Sequence, residues 1–128
     1  MTTRACSAEI KRLRKRADTL LQKIVRLEHP RCEVCGKLAQ AGHHFFPKGS
    51  AAELRYDFQN IVSLCNGCHV RHHRGCNPEI HAKVIQDRGF EWYDDLYSRK
   101  AIPRMRGEGY YQGVIDMLEA RLGVGVGA

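Results

Sequence analysis

Two Cys-x-x-Cys pairs, Cys32/Cys35 and Cys65/Cys68, constrain this chain more than any other feature. A two-residue gap brings both thiols of a pair onto one side of a tight turn, and two such knuckles complete a tetrahedral four-thiolate site for a structural zinc. Three disulfides from the six cysteines would be unusual in a reducing compartment. Cys6 and Cys76 lack knuckle spacing and read as ordinary thiols. A chain of 128 residues suffices for one domain whose core a bound metal supplements, with extensions on either side.

Twenty-nine residues separate Cys35 from Cys65, more than the roughly 15–20 of a simple zinc ribbon. That interval contains His43 and His44, while His69 and His73 follow the last knuckle. Four thiolates already complete a tetrahedral zinc, so the imidazoles point to a second site. On a helix after Cys68, His69 and His73 stand at i and i+4 and share a face, with His72 as a competitor for the role of His73. The isolated His29 and His81 read as ordinary structural or surface histidines.

The formal charge is +7, and it is unevenly placed. Residues 1–31 carry Arg4, Lys11, Arg12, Arg14, Lys15, Arg16, Lys23, Arg26 and Arg31 against Glu9, Asp18 and Glu28, a net +6 that leaves +1 for the rest. Such a stretch attracts polyanions, nucleic acid foremost, although a solvated basic helix face is the plainer alternative. Charges interrupt every apolar stretch, and no apolar signal segment follows the first methionine. The expectation is a soluble, cytoplasmic protein without membrane contact.

The spacing predicts a helix from Ser7, as N-cap, to about Glu28, with Pro30 stopping it. Ile10, Leu13, Ala17, Leu20, Ile24 and Leu27 alternate by three and four, the rhythm of a coiled-coil seam, and Leu21 and Val25 widen the stripe. Its partner is either this chain's own C-terminal helices or a second copy, giving a homodimer. In the centre, "AGHHFF" and "NIVSL" read as short strands flanking a loop from Pro47 to Gln59, with a short helix from near Asn66. Asn77 as cap, Pro78 at the first helical position and Gly89 as stop mark a helix over 78–88. A second short helix follows over Glu91 to Arg99, and Pro103 breaks the pattern. The stretch "YYQGVIDMLEARLG" resumes it, with Val114, Ile115, Leu118 and Leu122 on one side and Gly123 as its end. The organisation expected is a basic helix at 1–30, a metal core at 31–76, a helical extension at 77–122 and a flexible tail at 123–128.

From Cys32 to His73 these residues resemble the HNH endonucleases of the ββα-metal superfamily. The matching features come in order: a Cys-x-x-Cys knuckle, the "GHH" strand, Asn60 before a second strand, and "CNGCH" leading into a helix. The resemblance implies a small α+β fold: a ββα-metal core with a structural zinc, flanked by a long basic N-terminal helix and C-terminal helices. It implies catalytic roles for His44, the general base, and Asn60, the central asparagine. It makes His43, His69 and His73 the ligands of a catalytic divalent ion and Cys32, Cys35, Cys65 and Cys68 those of the zinc. Many relatives, the nuclease colicins among them, have Asp-His where this chain has His43-His44, a departure that alters the metal site and leaves the fold alone.

Such a site suits phosphodiester hydrolysis. Neutral His44 can take a proton from water near pH 7, since an unperturbed imidazole titrates at about 6.5. Adjacent strand residues point to opposite sides, so His43 and His44 suit different tasks. The amide of Asn60 can both donate and accept, which fits it to hold the loop around His44. An all-imidazole ion site favours Mn, Co, Ni or Zn over Mg; a preference for Mg would instead point to Asp57 or another carboxylate as ligand. Lys48, Arg55, Arg71 and Arg74 are candidates for phosphate contact. The function expected is a metal-dependent DNA endonuclease, most simply a nickase leaving 5'-phosphate and 3'-hydroxyl ends. A non-catalytic zinc-stabilised nucleic-acid-binding module and a zinc-stabilised protein-interaction domain are the rivals, and neither needs His44 or a second ion.

Overall fold

The computed structural model describes residues 3–48, 51–75, 78–100 and 106–127, with side chains outside the description at 3–6, 52, 72–75 and 124–127. The chain divides into two compact units, one of Met1–Ile24 with Arg104–Ala128 and the other of Val25–Pro103.

The first unit contains most of helix α1 (Thr3–Glu28) and all of helix α5 (Glu108–Gly127). Leu13, Ala17, Leu20, Leu21 and Ile24 of α1 are buried at spacings of three and four, as are Tyr111, Ile115 and Leu118 of α5. Arg16 and Glu119 pair across the two helices at 3.5 Å. Both side chains are about half exposed, so the pair is worth ~0–1 kcal/mol and burial of the stripes dominates. Helix α1 begins at Thr3, so Ser7 is an exposed residue inside it and not its cap. The segment before Ser7 contains neither Gly nor Pro, and extending a helix already nucleated adds a hydrogen bond per residue. Leu27 is 57% exposed, so the seam stops short of its last predicted position. Helix α5 continues past Gly123 to Gly127. Each glycine there weakens the helix by about 1 kcal/mol relative to Ala, but no proline blocks its propagation.

The second unit contains the ββα element. Strand β1 (Ala41–His44) pairs antiparallel with β2 (Ile61–Leu64), in the register Ala41↔Leu64, Gly42↔Ser63, His43↔Val62 and His44↔Ile61. Helix α2 (Asn66–Gly75) follows β2, then α3 (Pro78–Arg88) and α4 (Phe90–Lys100). Phe45 and Phe46 leave the strand in a bend and enter the core with Leu54, Val62, Leu64, Ile80, Val84 and Leu96, joined by Cys32, Cys65 and Cys68. This core draws on α3 and α4 as well as the strands, so residue 76 is no border between compact units. Gly89, with φ 98°, makes the turn between α3 and α4, a backbone region that disfavours a side chain. Asn77 and Pro103 lie outside the described residues. The loop from β1 to β2 contains two 3-10 turns, Ala52–Leu54 and Phe58–Asn60. Among the described residues no helix is long and apolar enough to cross a membrane.

Candidate metal centre and catalytic site

The first knuckle is a tight turn closed by Gly36 N–H donating to the Cys32 carbonyl at 2.9 Å, with Gly36 at φ 77°. The second joins the end of β2 to the first turn of α2, Cys65 lying just after Leu64 and Cys68 two residues into the helix. All four Sγ atoms lie within 4.8 Å of one another, and those of Cys35 and Cys65 are 3.5 Å apart. Zinc–sulfur bonds of ~2.3 Å put tetrahedral sulfurs about 3.8 Å apart, so the cluster fits the ion.

Its acid–base balance agrees. The Cys65 thiol is lowered to about 6, first by the backbone N–H of Cys68, 3.4 Å from Cys65 Sγ, and then by Cys35. Cys68 is pushed up to about 12 by burial, against the Arg71 guanidinium that donates to its sulfur at 3.1 Å, with the neighbouring thiols adding to the rise. For Cys32 burial opposes ionisation, but donors from the backbone of Cys65, Cys35 and Val34 bring it below the usual thiol value. Four crowded sulfurs ionise together only around a cation, and a coordinating thiol is deprotonated outright by its metal.

A support for this knuckle lies 55 residues away. Arg88, the last residue of α3, grips Glu33 between the knuckle cysteines, Nε to Oε1 at 3.0 Å and Nη2 to Oε2 at 2.7 Å. The same guanidinium donates to the carbonyls of Gln59 at 2.9 Å and Ile61 at 2.8 Å, and stacks over the ring of Trp92. Glu33 in turn accepts from Ser63 N–H at 3.0 Å. The clamp binds the first knuckle to the start of β2, next to Asn60. Sequence reasoning missed Glu33 and Arg88; the charged residue inside the Cys-x-x-Cys gap was the available signal.

His43 and His44 diverge from their strand as alternation requires. His44 lies with Nε2 2.8 Å from the carbonyl oxygen of Arg55. A carbonyl only accepts, so Nε2 carries the proton and Nδ1 is the basic nitrogen of the neutral ring. On the other side, the rings of His43 and His69 meet edge to face with centroids 5.4 Å apart. The backbone of His73 lies on α2 one turn after His69; its side chain and that of His72 are outside the described residues.

Asn60 is fully buried, at 0% exposure. Its Oδ1 accepts from Phe46 N–H at 2.9 Å, and its Nδ2 donates to the carbonyls of Phe46 at 3.1 Å and Leu54 at 3.2 Å. These bonds fasten both ends of the loop that contributes the Arg55 carbonyl. Asn60 therefore holds the loop beside His44 through backbone groups.

Of the basic candidates, Lys48 is exposed in the loop after β1. Arg55 lies over the Tyr56 ring, Arg71 is bound to the Cys68 sulfur, and Arg74 has its side chain outside the description. Asp57 uses one oxygen to accept from Gln59 N–H at 2.9 Å, capping the 3-10 turn, and the other to pair with Arg99. This engagement weighs against Asp57 as a metal ligand. His81 stacks on Phe45 at 4.4 Å, in keeping with a structural role.

Residues 32–75 match the family model described as HNH endonuclease. Over 56 residues the chain is 32% identical to Anaredoxin from Nostoc sp., an alignment covering 42% of this chain and 71% of that protein. No solved structure matches the chain. The chain belongs to the HNH endonuclease family.

Proposed function

We propose that the protein is a metal-dependent DNA endonuclease that nicks one strand per encounter. The observation behind this reading is the orientation of His44 by the Arg55 carbonyl, with His43 and His69 adjacent on the opposite side of the strand. In the proposed step, His44 Nδ1 accepts a proton from water as the water oxygen attacks phosphorus in line with the leaving 3'-oxygen. The P–O3' bond breaks, the 3'-oxygen is protonated from solvent, and 5'-phosphate and 3'-hydroxyl ends result. A divalent ion on His43, His69 and His73 would absorb charge on the phosphate and the leaving oxygen. Imidazole donors favour a transition ion such as Mn, Co, Ni or Zn over Mg, and Mn is the ion proposed. Asn60 holds the loop that aims His44, and the thiolate cluster holds a structural zinc. A single centre accounts for nicking; cutting both strands at once requires a second copy.

The test is incubation of supercoiled plasmid with the pure protein plus Mn, Mg or chelator, beside His44→Ala. Mn-dependent open-circle product, lost in the variant while zinc content and melting stay unchanged, is the expected outcome. Undiminished cutting by the variant removes His44 from the chemistry. Binding without cutting under every metal leaves a zinc-stabilised nucleic-acid-binding module in place of the enzyme.

A further inference from the structure

The exposed side of α1 has a charge pattern that the proposed catalytic site does not use. Lys11, Lys15 and Lys23 are exposed and follow one another, with Thr19 between, at intervals of four residues. Such a row slants around the exposed side of the helix, through about 120°, in axial steps of about 6 Å and extends about 18 Å. The neighbouring arginines are neutralised inside the chain, Arg12 by Glu9 at 2.5 Å and Arg16 by Glu119 at 3.5 Å. Among the described residues no carboxylate is paired with Lys11, Lys15 or Lys23, and Thr19 turns its hydroxyl back onto the Lys15 carbonyl at 2.9 Å. Two arginines of the helix are thus paired with carboxylates while the three lysines of the row are not.

We infer that this row is a docking surface for the phosphate backbone of duplex DNA, a surface outside the HNH core that would hold substrate for the activity proposed above. The chemistry of the row selects the partner. The unmatched positive charge of the row complements a strand that carries one negative charge per phosphate. Lysine acts as a point charge toward phosphate, without the planar fork that reads bases or carboxylates, so the contact carries affinity and not sequence. An anionic membrane is a poorer fit, because a helix lying in a bilayer interface inserts an apolar face. The apolar stripe of α1, Leu13, Ala17, Leu20, Leu21 and Ile24, is already buried within the chain.

The experiment compares Lys11→Gln/Lys15→Gln/Lys23→Gln with the corresponding triple arginine variant, each in the His44→Ala background so that DNA stays intact. Binding of a labelled short duplex is followed by fluorescence anisotropy over a series of salt concentrations. The glutamine triple should weaken binding on the order of tenfold and reduce the slope of log affinity against log salt by about 3, while the arginine triple keeps both. With His44 restored, the glutamine triple should slow plasmid nicking but hydrolyse bis(p-nitrophenyl) phosphate, which has no duplex backbone to dock, at the parent rate. Unchanged affinity and salt slope overturn the inference, as does lysine-dependent binding to phosphatidylserine vesicles in place of DNA. Lysine-dependent DNA binding by a protein that cuts nothing leaves the inference standing and removes the nuclease reading, so the two fail separately.

Discussion

The cysteine cluster and the histidine group both draw on helix α2, yet they are built on opposite terms. Around the cysteines four donor atoms crowd within 4.8 Å, backbone N–H groups aim at the sulfurs, and Cys32 and Cys68 are buried. Around the histidines, His43 and His69 touch edge to face while His44 is turned away to the Arg55 carbonyl, and all three rings are only partly buried. A closed ligand set stabilises a fold, whereas chemistry requires ligand positions left for water and substrate. The cysteines thus form the more closed and more buried of the two groups.

The largest effect should come from opening the closed site. Cys68→Ser is expected to release the zinc and abolish the cooperative melting of the core, since structural zinc binding in small domains is worth ~10–16 kcal/mol. Metal analysis and circular dichroism check this, and a variant that keeps one zinc and its melting temperature would break the comparison.

Next comes the support of the histidine side. Asn60→Ala leaves Phe46 N–H and two carbonyls without their partner, and should destabilise by about 2–4 kcal/mol in urea titration while lowering any nuclease activity. A stable variant with full activity would mean that the loop bearing the Arg55 carbonyl is held elsewhere.

Arg88 serves both sides, through Glu33 in the knuckle and through Gln59 and Ile61 beside Asn60. Arg88→Ala should lower stability by about 1–3 kcal/mol, and Arg88→Lys should recover only part of it because an ammonium cannot reproduce the fork. A double-mutant cycle with Glu33→Gln measures the shared portion; a coupling of zero would show that the clamp does not connect the two sites.

The smallest effect concerns pH. Burial against Phe45 lowers the His81 pKa below its ordinary value near 6.5. The unfolded chain therefore binds the proton more readily than the folded one. The stability linked to His81 is fully present above that value, declines as pH falls through it, and levels off below the folded pKa. His81→Phe should flatten this acid-side slope in pH-dependent melting while leaving zinc content unchanged. A slope identical to the parent's would place the acid sensitivity in other groups.

What was legible in the sequence is what chemistry keeps local. Cys-x-x-Cys, His43-His44 and the four-residue step from His69 to His73 are short patterns, and the strands and helices that hold them appear close to where the hydrophobic pattern puts them. The pairings of the supports were not legible, because they join distant positions: the loop-holding role of Asn60 could be read but not its partners Phe46 and Leu54, and neither Arg88 to Glu33 nor Arg99 to Asp57 could be read at all. Helix ends were read too short for a related reason. Ser7 and Gly123 are plausible boundary residues in isolation, but the helices on which they lie continue through them.

The reach of Arg88 also bears on portability. The span that matches the family, residues 32–75, stops before α3 and so before the guanidinium that pins the first knuckle. Ile80, Val84 and Leu96, which complete the core, lie beyond it as well. Grafted alone into a foreign scaffold, that span would arrive with its metal ligands and without their brace. A transplantable cassette has to include α3 and α4, through Leu96 at the least.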